Sequence, residues 1–149
     1  MNSIPRYRQR QVLSILPMLT KADLNNWIGR GTLTLDHPEH SPHLYSIRDL
    51  VALACMYELR EQYVHVGAAA KIAMHAKDRL RNWRSRGRPC VFVAWFHGAG
   101  VKVLTVYQDQ LGERLNRVGA EPVVMVFAVD DVIEMVHEKL REAGWPEAA

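Results

Sequence analysis

Lys21, Asn25, Asn26 and Arg30 are the residues whose types and spacing suggest chemistry. Within Thr20–Leu33 the apolar residues Leu24, Trp27 and Ile28 recur at i, i+3 and i+4, so they share one face of a short helix. The two asparagines and two cations are then left pointing outward. Amides and cations are the groups that bond to phosphates and to the edges of bases, with Asn25 and Asn26 best suited to adenine. Thr20 with Asp23 three residues on is a capping pair, and Gly31 lies just past the end.

The wider sequence shows what must position this helix. Val12, Leu13 and Leu16 give a first helix over about 8–17 that Pro17 ends. Thr32–Leu35 alternates and suits a short strand. Asp36–His43 contains Pro38 and Pro42 and reads as a loop. Its His37, His40 and His43 have the look of metal ligands, but the prolines forbid a helix that would bring them onto one face. A polar loop meeting phosphates or the minor groove is the expectation, with no metal and no cofactor. Ser46 and Asp49 start a longer helix, to about Tyr63, with Leu50, Leu53, Ala54, Tyr57 and Leu59 on its apolar side.

Helix, strand, loop, short strand and helix is the order of a winged helix. Trp27 to Gly31 with Leu33, the loop to His43, and Tyr45-Ser46-Ile47-Arg48-Asp49-Leu50 resemble the MerR-type DNA-binding domain over about residues 8–80. Asn25 and Asn26 stand where that family usually has an Arg and a Tyr, and no sustained heptad follows the domain. The resemblance implies that Lys21, Asn25, Asn26 and Arg30 read the major groove. It also implies that Arg8, Arg10, His40, His43, Tyr45 and Arg48 line the DNA backbone. Residues 1–7 read as a flexible arm, and Arg6, Arg8 and Arg10 alternate with Tyr7 and Gln9.

Charge is unevenly divided. Residues 1–88 carry a net +7 and residues 89–149 a net −4, within an overall +3. A basic half of this kind fits nucleic-acid binding confined to one part of the chain. Val66 to about Arg84 reads as a helix whose end holds Lys77, Arg79, Arg81 and Arg84 around Trp83. This run is either a second phosphate-contacting surface or a solvated face leading into a linker over Ser85–Pro89.

Beyond Pro89, strands are predicted over Cys90–Phe96, Val101–Tyr107 and Pro122–Val129, the first two joined by a His97–Gly100 turn. The polar stretch from Gln108 to Gly119 suits a short helix. Asp130 and Asp131 are expected to cap a final helix carrying Val132, Ile133, Val136 and Leu140. The expected fold class is therefore α+β: a winged helix-turn-helix at 1–86 followed by a small α/β unit at 87–149 with about three strands. The strands are apolar on both faces, so the sheet must be covered or paired with a second copy. A homodimer through this half is expected.

No apolar run reaches the ~18 residues of a membrane helix. The two cysteines, Cys55 and Cys90, are expected to be buried free thiols in a cytoplasmic protein. No triad, HExxH motif or cysteine pair supports an enzyme. The function expected is sequence-specific binding of double-stranded DNA as a regulator of bacterial or phage type. The rivals are an excisionase-like architectural or packaging factor and, in another class, a protein-interaction adaptor that does not touch DNA.

Overall fold

The two capping pairs read from sequence both form. In the computed structural model, which describes residues 4–82, 88–97, 100–118 and 124–145, Asp23 N–H donates to Thr20 Oγ1 and Thr20 N–H to the Asp23 carboxylate, at 3.1 and 2.8 Å. Asp49 N–H donates to Ser46 Oγ and Ser46 N–H to Asp49 Oδ2, at 3.1 and 2.9 Å. Each closes two donors that a helix start otherwise leaves open.

In chain order the elements are β1 (Tyr7–Arg8), α1 (Gln9–Ile15), α2 (Lys21–Gly29), β2 (Leu44–Tyr45), α3 (Ile47–Glu61), α4 (Val66–Asn82), β3 (Cys90–His97) and β4 (Gly100–Tyr107). A 3-10 turn (Gln108–Gln110), α5 (Leu111–Val118), β5 (Val124–Phe127) and α6 (Val129–Glu142) complete it. The protein is thus mixed α+β. Among the described residues no helix is long and apolar enough to cross a membrane.

α3 is the centre. Residues Leu50 to Met56 are all buried, as is Leu59, so the middle of the helix is enclosed on every side, with α4 and α6 packed against it, while Arg60 and Glu61 in its last turn are exposed. A helix apolar all round has no stable place except an interior. Cys55 lies within it as a free thiol, and burial pushes that thiol well above its ordinary pKa. Cys90 is also free and buried.

The larger sheet has the order β4-β3-β5 and is antiparallel throughout, Val93 facing Leu104 on one side and Val126 on the other. Phe92 and Ala94 turn toward the main core, which also holds Val129, Ile133, Val136 and Leu140 of α6. Val91, Val93 and Val106 form a second cluster under Leu111 and Leu115 of α5. The sheet is apolar on both faces, as its sequence requires, and helices of the same chain pack on each.

Three expectations change. Thr32–Leu35 forms no strand, although Leu33 and Leu35 are buried with Thr34 exposed between them. β2 pairs instead with β1, Tyr7 opposite Tyr45, and Arg6 N–H donates to Tyr45 O at 3.0 Å. The basic arm is therefore anchored from Arg6 onward, and Tyr7 is buried and stacks on Trp145, with ring centroids 6.0 Å apart. Asp130 does not cap α6, whose N-cap is Ala128. Its carboxylate instead receives Arg79 Nε and Nη2, each at 3.0 Å, and Cys90 N–H at 2.7 Å. These bonds hold the Arg79 guanidinium above its ordinary pKa. Trp83, Arg84, Arg86 and most of the expected linker, like Gly98 and Ala99 of the hairpin turn, lie outside the described residues.

Candidate nucleic-acid interface

α2 sorts its residues by solubility. Leu24 and Trp27 are buried, whereas Lys21, Asn25, Asn26 and Arg30 are exposed. The pairs Lys21 with Asn25, and Asn26 with Arg30, stand four residues apart, one turn along the helix. Gly31, at φ +72°, ends the helix, and Leu33 N–H donates back to Trp27 O at 2.8 Å. Only a residue tolerant of the left-handed region turns the chain so sharply there.

The segment after α2 is fixed by a buried network. Lys77 Nζ donates to Asp49 Oδ1, Thr34 O and Asp36 Oδ1 at 2.6, 2.8 and 3.1 Å. Asp36 also accepts from Ser46 Oγ at 2.8 Å and faces Arg48 Nε at 3.3 Å, and its own N–H donates to Asp49 Oδ1 at 3.1 Å. Two cations and two carboxylates from α3, α4 and the loop are matched in a region of low solvent access, where unmatched charge is costly. Neither Lys77 nor Arg79 belongs to a phosphate-contacting surface or a solvated face: both are buried. Arg88 pairs with Asp109 at 2.8 Å and its guanidinium lies 3.8 Å from the Tyr107 ring centroid.

The remaining predicted residues fall into two groups. Arg8, Arg10 and His43 are exposed and His40 is half-buried. Arg8 N–H donates to Gln11 Oε1 at 2.8 Å, starting α1. Tyr45, by contrast, is 1% exposed and part of the core, so its ring cannot meet a backbone phosphate. Burial, with the Asp49 carboxylate, pushes its phenol above the ordinary value. Arg48 is 16% exposed and also lies 3.8 Å from Asp78, so its charge is already partly matched.

Sequence reading missed a groove. An open cavity of about 730 Å³ runs between the end of α2 and the start of α4, lined by Arg30, Arg48, Lys71, His65 and His75, with Asp78 as its acid. Arg30 belongs both to this groove and to the exposed side of α2. A signal did exist: Lys71 and His75 lie four apart on α4, on the side away from the buried Ile72, Ala73 and Ala76.

Loop residues His37, Glu39 and His40 cluster. His37 Nδ1 lies 3.3 Å and His40 Nε2 3.8 Å from Glu39 Oε1. A hydrogen bond from its own backbone, and then the two imidazoles, hold the Glu39 carboxyl below the usual carboxylate range.

Because the Thr20 cap sets where α2 begins, Thr20→Ala is expected to cost about 1 kcal/mol of stability, measured by urea unfolding. No protein-family model matches the chain, and no curated protein matches it.

Proposed function

We propose that the protein is a sequence-specific regulator of bacterial or phage type that binds double-stranded DNA as a dimer, with α2 as its reading helix in a winged-helix arrangement. The observation that carries this reading is the exposed set Lys21, Asn25, Asn26 and Arg30 over a buried back, continuous through Arg30 with a cationic groove. The amides suit base edges, while the exposed Arg30 and Lys71 suit the flanking phosphates. Arg8, Arg10, His40 and His43 extend the backbone contacts. The dimer contact belongs to the C-terminal half, where Leu104 and Val126 are more than 40% exposed on one face of the sheet. Two copies related by a twofold axis would then recognise an inverted repeat.

Fluorescence anisotropy on a mixed duplex across a salt series tests the reading. Each neutralised phosphate contributes roughly −0.9 to the slope of log K against log salt, so Lys71→Ala is expected to flatten it by about one such increment. On a selected site, Asn25→Ala is expected to cost about 1–3 kcal/mol, with little change on random duplex. Equal losses on both would remove Asn25 from base reading, and no binding at low salt would reject the DNA reading itself.

A further inference from the structure

We propose that the turn His37–His40 is a binding site for a divalent transition-metal ion of the Zn²⁺ class, held by His37, Glu39 and His40. One ligand atom from each residue lies within 4.8 Å of the other two. Tetrahedral bonds of about 2.0–2.1 Å set neighbouring ligand atoms about 3.4 Å apart. The His37 Nδ1 to Glu39 Oε1 separation of 3.3 Å already has that length, and His40 Nε2 at 3.8 Å needs only a small side-chain rotation. The two imidazole rings stand 6.1 Å apart at 62°, so they approach Glu39 from different directions.

The backbone explains how residues that cannot share a helix face come together. His40 N–H turns back toward His37 O at 3.5 Å, making a turn with Pro38 in its second position. Proline fixes the φ that this position needs, so it favours the cluster rather than forbidding it. The turn is anchored on its N-terminal side, because Asp36 is held by Lys77, Ser46 and Arg48. Its other side is open: Glu39 is exposed and His40 half-exposed, which gives an ion an entry path and room for water as a fourth ligand. Two imidazoles and one carboxylate select Zn²⁺, Co²⁺ or Ni²⁺ over Mg²⁺ or Ca²⁺, which take oxygen.

The site shares His40 with the proposed backbone contacts, but its ion binding does not depend on them and is tested without DNA. The metal-free 149-residue chain is titrated with Zn²⁺ by calorimetry and with Co²⁺ by visible absorption. One equivalent of Zn²⁺ bound at micromolar concentration, an intense tetrahedral Co²⁺ spectrum, and shifts of the His37 and His40 imidazole resonances are expected. His40→Ala and Glu39→Gln are each expected to weaken binding about tenfold or more. These side chains are on the surface, so far-UV circular dichroism should be unchanged. His65→Ala/His75→Ala is expected to bind as the parent does. Absence of binding at micromolar Zn²⁺, or affinity unchanged in His37→Ala/His40→Ala, would overturn the assignment.

Discussion

Lys77→Met is expected to cost about 3–5 kcal/mol of folding stability, read as a lower urea midpoint at unchanged slope. The side chain is 2% exposed, and methionine replaces its stem at similar volume. What methionine cannot replace is the ammonium that joins Asp49 Oδ1, Asp36 Oδ1 and Thr34 O. Both carboxylates would remain beside each other in a region that water scarcely reaches. Asp36 would keep Ser46 and Arg48, and Asp49 would keep the backbone amides of Ser46 and Asp36. Those bonds orient the carboxylates but supply only one cation for two negative charges. Restoring charge balance with Lys77→Met/Asp49→Asn should therefore recover part of the loss, giving a coupling energy of about 1–3 kcal/mol. A loss below about 1 kcal/mol in the single variant would mean that solvent relieves the pair, as at an exposed site.

This network also marks the limit of what the sequence discloses. The starts of α2 and α3 were legible because a capping pair is complete within four residues. The β3–β4 hairpin and α6 were legible because each is a continuous pattern between turn residues. Lys77 and Arg79 stand inside a basic run that hides them. On the helical grid they fall beside Ile72, Ala73, Ala76 and Leu80, and that stripe enters the core. A cation there must meet a carboxylate, but Asp49 and Asp130 lie 28 and 51 residues away and no local signal pairs them. Thr32–Leu35 failed differently. Alternation matches the burial of Leu33 and Leu35, yet it says nothing about a partner strand. The partner of Leu44–Tyr45 is a two-residue segment near the N-terminus, too short to carry a pattern. The motif places Tyr45 at the surface, whereas its burial is set by that pairing and by the core. For the histidine turn, the prolines excluded one geometry and a four-residue turn supplied another.

Arg79→Met is expected to cost about 2–4 kcal/mol, somewhat less than Lys77→Met because Asp130 keeps 12% of its side-chain surface and so some contact with water. The guanidinium binds Asp130 with two parallel bonds of 3.0 Å, and the same carboxylate receives Cys90 N–H. One acidic side chain thus ties α4, α6 and the first residue of β3 together. Arg79→Lys should fall between the parent and Arg79→Met, since a single ammonium cannot match both carboxylate oxygens. The variant also tests how the expected halves 1–86 and 87–149 are joined. Phe92, Ala94, Val129, Ile133 and Val136 lie in one apolar cluster with Leu50, Leu53 and Ile72, which gives the two halves a common core besides the clamp. Tryptophan fluorescence and far-UV circular dichroism should therefore still report a single coincident transition in Arg79→Met, shifted to lower urea. Two separated transitions would show that the Arg79–Asp130 pair, and not the shared apolar core, makes the halves unfold together.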